Sequence, residues 1–173
     1  VRFAGVAVAQ DRILGNGTDA SAALARSLDL GRIALAAENA GGAEGVLDLT
    51  VAYTKDRVQF GRPIGSFQAL KHRMADMMVE VETAKTGAYY AACVVDEESD
   101  ELAEAAAIAA SYSADAFMGC AGNAIQLHGG IGFTWEHDAH LFFKRARANA
   151  VLLGDPTSQR VRIADMIGLE KVA

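Results

Sequence analysis

The segment LLGDPTSQR, at residues 152–160, places a single carboxylate between two stretches of helical composition. Asp155 stands directly before Pro156 and is followed by two hydroxyl residues and Gln159. A carboxylate in a turn can take a proton from a substrate, and an aspartate before a helix can equally cap that helix. The residues alone leave both interpretations of Asp155 open.

A second stretch has residue types that suit a diphosphate ligand. In YTKDRVQFGRPIGSFQ, at residues 53–68, Arg57 lies near the expected end of a helix, close to Phe60 and Gly61. A guanidinium makes forked, charge-assisted hydrogen bonds to phosphate oxygens, and a glycine allows the backbone to approach a ligand closely. The alternative is that Arg57 only interacts favourably with the dipole of the helix that it ends.

The segment WEHDAH, at residues 135–140, raises the question of a metal site. His137 and His140 are three positions apart, but no third ligand follows at a suitable spacing. A helix with Thr134 as its N-cap and acidic residues in its first turn accounts for the same residues. We therefore predict no metal site.

Composition excludes several classes of partner. The net charge is −6, from 16 Lys and Arg against 22 Asp and Glu, which argues against nucleic acid. Cys93 and Cys120 lack the spacing of a metal or disulfide motif, and predict free thiols and a cytoplasmic protein. The longest apolar run, near residues 105–125, is interrupted by Asp115, so no membrane span is expected.

Hydrophobic spacing predicts an all-α fold, an up-and-down four-helix bundle with a short C-terminal helix. Asp29 is expected near the start of the first helix, where the dipole favours an acid, and Ser66 is expected to cap the second. The expected helices run in chain order over residues 27–58, 67–95, 102–128, 135–153 and 157–167.

A different region precedes the bundle. Residues 2–8 alternate loosely and predict one or two short strands, and residues 15–22 read as a turn-rich linker. The chain therefore divides into residues 1–20 and a helical domain at 21–173. Because the opening VRFAGVAVAQDRIL has neither a starting Met nor a signal pattern, we expect the chain to be part of a longer polypeptide.

Two segments carry a family resemblance. Residues 53–77 resemble the R-x-x-F-G…Q signature of the acyl-CoA dehydrogenase C-terminal domain. AIQLHGGIGFTWEHDAHLFFKRAR, at residues 124–147, resembles the second signature of that family. The opening residues resemble the last strands of the family's middle β-domain, so the resemblance covers nearly the whole chain.

The resemblance implies flavin chemistry, with FAD as the cofactor, an acyl-CoA as the substrate and electron-transferring flavoprotein as a partner. It also implies a homo- or hetero-oligomer, commonly a dimer of dimers, in which the two signatures reach the FAD of a neighbouring subunit. Arginine on pyrophosphate, amides as donors and acceptors, and glycines that admit the cofactor fit this role. The positions concerned are Arg57, Phe60, Gln68, Gln126, Gly129 and Gly130.

In most of the family the catalytic base is a Glu in a Glu-Gly-Thr-x-Gln turn. Alignment on Thr157 and Gln159, which by resemblance contact the flavin, puts Asp155 in the place of that Glu. Alignment on the preceding helix puts Gly154 there instead. Asp is shorter by one methylene, roughly 1.3 Å of reach.

The first helix bears on the same question. One branch of the family carries its base on this helix, at the position of Gly31, so that base is absent here. Arg32 matches an arginine of the substrate pocket. Glu38, about two turns further along, is expected to be paired or solvated at the edge of the bundle.

Three functions follow from these residues. In the first, the chain is the C-terminal part of an FAD-dependent acyl-CoA dehydrogenase with Asp155 as the base. In the second, it belongs to a non-catalytic subunit of a heteromeric dehydrogenase, as in some members that act on steroid side-chain thioesters. The third and weakest is a flavin oxidase of a non-thioester carbon acid.

Overall fold

Helices account for most of the residues that the computed structural model describes, which are 2–15 and 18–169. The five α-helices are α1 (Ser21–Asp56), α2 (Gln68–Asp96), α3 (Leu102–His128), α4 (Ala139–Asn149) and α5 (Pro156–Met166). Between α1 and α2, strands β1 (Val58–Gln59) and β2 (Arg62–Pro63) form an antiparallel hairpin. The predicted all-α bundle with a short final helix is confirmed.

The core lies where the helices meet. In α2, apolar residues that step by three and four, including Met77, Val81 and Ala84, form the buried face. The larger core cluster joins four helices and includes Val46, Met77, Val81, Phe117, Cys120 and Ala146. Burial, reinforced by Glu80 nearby, raises the pKa of the Cys120 thiol to about 12, so this cysteine serves the core and not as a nucleophile.

A buried polar network crosses the bundle. Asn149 Nδ2 of α4 donates to Asn39 Oδ1 of α1 at 2.8 Å, and Asn39 Nδ2 donates to Ser113 Oγ of α3 at 3.4 Å. Beside it, Glu38 pairs with Arg145 and accepts a hydrogen bond from Asn149. The expectation that Glu38 is a paired acid at the bundle edge is confirmed.

The structure differs from the prediction near the start of the chain. Residues 2–8 are exposed and form no strand, because no other described segment lies beside them to complete a ladder. Helix α1 begins at Ser21 and not at residue 27, since the alanine-rich residues 21–26 are good helix formers. Asp19 accepts hydrogen bonds from the backbone N–H and the hydroxyl of Ser21 at 2.9 and 3.0 Å, next to the first turn.

Two predicted helix caps are wrong. The Ser66 hydroxyl donates to the Pro63 carbonyl at 2.7 Å within a short 3₁₀ turn, and Phe67 occupies the cap position of α2. The Thr134 hydroxyl likewise donates to the Ile131 carbonyl at 2.9 Å, five residues before α4 begins at Ala139. In both cases a local turn uses the hydroxyl that sequence reasoning assigned to a cap.

Helix α4 ends at Asn149, earlier than the predicted 153, because the chain turns there and Leu153 takes a left-handed φ of 58°.

Among the described residues, none of the helices has both the length and the apolar character needed to cross a membrane.

Candidate functional site

The hairpin after α1 presents an aromatic side chain to the surroundings. Phe60 and Gly61 form its tip with φ of 54° and 76°, the left-handed pair that a tight two-residue hairpin loop requires. Phe60 is 91% exposed, and its ring meets the Phe67 ring edge-on at 6.0 Å between centroids. Arg57 ends α1 beside it and makes no ion pair within the described residues.

The C-terminal end of α3 carries the second predicted group. Gln126 is exposed on the last turn of the helix, and Gly129 ends the helix with a φ of 65°. Neither Gly129 nor Gly130 has any atom near the place where a Cβ would stand, so the backbone here is open to a ligand. A cavity of about 440 Å³ beside Gln126 is lined by Phe133, Trp135, His140, Phe143 and Lys144.

Stacked rings join these two groups. Tyr53, one turn before Arg57, stacks on His128 at 4.3 Å between centroids, and His137 lies 4.3 Å beyond His128. The Tyr53 hydroxyl also donates to the His128 carbonyl at 3.3 Å. The structure therefore brings the hairpin and the Gly129 loop to one end of the bundle. Gln68 lies exposed at the start of α2, directly after the same connection.

His128 is buried in this stack, with 4% of its surface exposed. Its Nδ1 lies 2.7 Å from the Ala124 carbonyl, while Nε2 has no partner among the described residues. Burial lowers the pKa of His128 against the effect of the Ala124 hydrogen bond, and His137 lowers it further.

Asp155 lies at the other end of the bundle, as the N-cap of α5. Its Oδ1 accepts a hydrogen bond from the Ser158 backbone N–H at 2.9 Å, and Pro156 takes the first helical position. The interpretation of Asp155 as a helix cap is confirmed. Its carboxylate is exposed, and Oδ2 makes no hydrogen bond within the described residues. Thr157, in the first turn of α5, is exposed as well.

The turn before Asp155 has an unusual backbone. Leu153 and Gly154 have φ of 58° and 105°, and we refer to residues 153–155 as the Asp155 turn. The Leu153 carbonyl accepts hydrogen bonds from Arg32 Nε at 3.0 Å and Gln159 Nε2 at 3.2 Å. Side chains rarely adopt the φ of Gly154, and a Cβ there would also lie 2.4 Å from Gln159 Nε2, so glycine suits this position. Gln159 is buried, and its Oε1 has no partner among the described residues.

Arg32 is held by Asp29, which the sequence analysis expected to act at the start of the first helix. Its Nη1 donates to Asp29 Oδ1 at 2.7 Å, and Arg162 of α5 donates to both oxygens of the same carboxylate at 2.5 and 2.8 Å. Asp29 is 3% exposed and eight residues inside α1, so its role is an ion-pair network and not the dipole of the helix start. Burial raises the pKa of Asp29, but the hydrogen bonds from Arg162 and Arg32 outweigh it and leave the pKa below its usual value.

Sequence reasoning did not assign Asp29 or Arg162 to the site. The spacing of Asp29 and Arg32 is a recognised helical ion-pair spacing and could have suggested that half of the network. Arg162 lies 133 positions from Asp29, and no local pattern indicates that contact.

Gly31 faces the same turn. A Cβ at this position would lie 3.0 Å from Leu153 Cδ1. The Leu153 side chain therefore packs directly against Gly31.

The candidate residues thus form two groups and not one. Arg32 lies in α1, and Arg57, 25 positions further on, is the C-cap residue of that helix. At the rise of an α-helix this separation is roughly 37 Å. Among the described residues, no group of three or more His, Cys, Asp or Glu side chains is placed to hold a metal ion.

Residues 20–168 match the acyl-CoA dehydrogenase C-terminal domain, and the chain belongs to this family of oxidoreductases.

Particular relatives support the assignment. The acyl-CoA dehydrogenase IpdE2 of Mycolicibacterium smegmatis is 50% identical over 135 residues, which are 78% of this chain and 42% of that protein. The chain thus spans less than half the length of this relative. A glutaryl-coenzyme A dehydrogenase in complex with glutaryl-CoA superposes with a TM-score of 0.86 at 32% identity, over 95% of this chain and 42% of that one. A chain of the ChsE4-ChsE5 complex from Mycobacterium tuberculosis superposes with a TM-score of 0.78 at 33% identity, over 90% of this chain and 42% of that one.

The cofactor of the family is FAD. An FAD-dependent dehydrogenase superposes on this chain with a TM-score of 0.79 at 30% identity, over 83% of this chain and 38% of that one.

Proposed function

We propose that this chain is the C-terminal part of an FAD-dependent acyl-CoA dehydrogenase that introduces a double bond between Cα and Cβ of an acyl-CoA thioester. The observation that carries the proposal is the Asp155 turn. It presents an exposed carboxylate next to Thr157 and the buried Gln159, and alignment on Thr157 and Gln159 assigns the family's base to Asp155. Membership in the family supports the reaction class.

The residues present fit a flavin dinucleotide. Arg57 and the exposed Phe60 suit a diphosphate and an aromatic ring, and Gln126 with the open Gly129 and Gly130 backbone suits close contact with phosphates. The unpartnered, buried Oε1 of Gln159 is an acceptor that an N–H donor of a ligand could satisfy. When bound, FAD would supply the hydride acceptor of the reaction.

Asp155 would take the proton from Cα. Oδ1 is used to cap α5, which leaves Oδ2 as the oxygen that faces a substrate. The hydrogen bond from Ser158 fixes the rotation of the Asp155 side chain. Oδ1 would then serve as the cap and Oδ2 as the base. Arg32 would act next to the base, through its bond to the Leu153 carbonyl.

The distance between the two groups argues for an oligomer. Because Arg57 and Arg32 are separated by roughly 37 Å along α1, the signatures at one end and the base at the other would not meet around one reacting centre in a single chain. A second subunit, identical or not, would complete each site. A solved structure reported for the electron transferring flavoprotein of Acidaminococcus fermentans contains a chain that is 36% identical to this one over 83% of this chain and 37% of that one. We propose an electron transferring flavoprotein as the electron acceptor.

The second candidate function is a non-catalytic subunit of a heteromeric dehydrogenase. Two observations favour it: neither family position holds a Glu, and Asp155 already serves as a helix cap. Solved relatives include the ChsE4-ChsE5 complex and the Tcur3481-Tcur3483 steroid acyl-CoA dehydrogenase, whose names pair two components. In this case the partner would supply the base.

Substitutions at Asp155 separate the base from the cap. Asn and Ser cap helices about as well as Asp but cannot accept the proton, whereas Ala does neither. We expect Asp155→Asn and Asp155→Ser to keep the thermal stability of the parent and to lose roughly 100-fold or more in kcat. Asp155→Ala should lose a similar factor in kcat and also about 1 kcal/mol of stability.

The measurement is steady-state desaturation of acyl-CoA by the holoenzyme that contains this chain, with thermal melts of each variant. Normal turnover by Asp155→Asn would show that Asp155 is not the base. If the parent turns over only with a second, Glu-bearing chain and Asp155→Asn then has no effect, the non-catalytic subunit is the correct function.

A further inference from the structure

We propose that Asp29 is a positioning residue: through Arg32 and Arg162 its carboxylate holds the Asp155 turn and so sets the location of the Asp155 side chain. We call Asp29, Arg32 and Arg162 the carboxylate clamp. The role toward the reaction rests on the proposed function of Asp155, whereas the mechanical role of the clamp stands on the contacts alone.

The Asp155 turn needs external support. Leu153 has a φ of 58°, a conformation that side-chain-bearing residues adopt only when the surroundings hold them there. Such positions tend to occur where a protein fixes a functional group. In this chain the position comes two residues before the candidate base.

The clamp supplies that support from α1. Arg32 Nε donates to the Leu153 carbonyl at 3.0 Å, while Arg32 Nη1 is held by Asp29 at 2.7 Å. The Leu153 side chain lies against Gly31, one residue before Arg32. Backbone and side chain of Leu153 are therefore both fixed by the same turn of α1.

The clamp also fixes the helix that follows the turn. Arg162 of α5 donates two hydrogen bonds to the Asp29 carboxylate, a forked geometry that restrains rotation as well as distance. Since Asp155 caps α5, the position of α5 determines where the Asp155 backbone lies. One buried carboxylate thus holds the two flanks of the Asp155 turn.

Removal of the Asp29 charge should release both flanks together. Asn keeps the size of the side chain but leaves two guanidinium groups close to each other without the anion between them. The Arg32 side chain would then be free to leave the Leu153 carbonyl. A misplacement of the base of about 1 Å costs on the order of 100-fold in rate.

The chain offers a matched control on the same helix. Arg160, two residues before Arg162, forms an ion pair with Asp115 of α3, and both side chains are about half exposed. Asp115→Asn therefore removes an Asp–Arg contact to α5 that does not reach the Asp155 turn.

The experiment uses the holoenzyme that contains this chain and has two readouts. The first is hydrogen exchange of the backbone over residues 150–157, which exclude Arg160. We expect Asp29→Asn to speed this exchange by about fivefold or more, with Asp115→Asn unchanged. The second is a kinetic cycle of Asp29→Asn and Asp155→Asn. We expect Asp29→Asn to lower kcat about 10- to 100-fold with little change in KM, and to have no further effect when Asp155 is already Asn.

The outcomes are distinct. Unchanged exchange in Asp29→Asn overturns the clamp. Faster exchange with an unchanged kcat overturns the positioning role. An Asp29→Asn loss of kcat that is as large in the Asp155→Asn background as in the parent overturns it as well. If the parent shows no turnover under any condition, the proposed function fails, and the exchange readout still decides whether Asp29 holds the turn. Recovery of slow exchange and turnover by Asp29→Glu would support a requirement for the charge.

Discussion

Local contacts determine which atoms of Asp155, Arg32 and His128 are free to react or to bind. The two oxygens of Asp155 differ, since Oδ1 caps α5 and Oδ2 makes no contact within the described residues. Arg32 donates hydrogen bonds to the backbone of the Asp155 turn and to Asp29. His128 is the residue whose charge state the fold constrains most plainly, because its ring is buried between Tyr53 and His137.

The pH dependence of stability should report on His128. Its ordinary pKa is 6.5, and burial lowers the value in the folded state. As the pH falls through about 6.5, the unfolded chain therefore binds a proton that the folded chain does not, and the free energy of unfolding decreases. The loss continues until the pH passes the folded-state pKa.

We expect the melting temperature of the parent to fall more steeply than that of His128→Phe between about pH 7.5 and pH 5.5. Phe keeps an aromatic ring in the stack and removes the titrating group. His72→Phe, at an exposed position of α2, is the matched control and should follow the parent. Equal slopes for His128→Phe and the parent would contradict this account.

At the scale of elements, small residues set how closely α1 approaches α3. A Cβ on Gly42 would lie 2.5 Å from the ring of Phe117, which is 1% exposed. A Cβ on the neighbouring Gly41 would meet no atom. Only Gly42 is therefore needed for the close approach of α1 and α3.

The two glycines make a paired test of helix packing. Gly41→Ala should stabilise the fold by about 0.5–1 kcal/mol, because alanine favours the helix and has room. Gly42→Ala should destabilise it by about 1–3 kcal/mol, because Phe117 or the helices must move. Urea denaturation of the protein that contains this chain measures both, and changes of the same sign would contradict the structure.

The elements also show what the sequence could predict. All five helices follow from spacing and turn residues, because a periodic apolar face is a local pattern. The caps at Ser66 and Thr134 and the strands in residues 2–8 could not be predicted well. A hydroxyl has several nearby carbonyls to choose from, and a strand depends on a neighbour that the local sequence does not reveal.

For the candidate site too, some features could be predicted from the sequence and others could not. The residues of both signatures and of the Asp155 turn were identified by resemblance, and the structure shows which of them lie together. The ring stack of Tyr53 on His128 and the bond between Arg162 and Asp29 join positions that are far apart in the chain. Contacts of this kind arise from the packing of the whole bundle, so no single segment indicates them.

At the scale of the molecule, the two groups of candidate residues lie near opposite ends of the domain. The hairpin and the Gly129 loop lie at one end of α1, and the Asp155 turn lies near the other. This separation, roughly 37 Å, is the physical reason for proposing that each flavin site is shared between subunits. It also explains how a chain could bind flavin for a partner without catalysing a reaction itself.

The most direct test of the central claim is the visible absorption spectrum of the holoenzyme that contains this chain. The spectrum is recorded without oxygen before and after addition of a series of saturated acyl-CoA thioesters, including one with a steroid side chain. We expect bound flavin whose long-wavelength band bleaches with at least one thioester. We also expect that Asp155→Asn keeps the flavin and fails to bleach. A protein that holds no flavin after incubation with FAD, alone or with a partner subunit, would contradict the account.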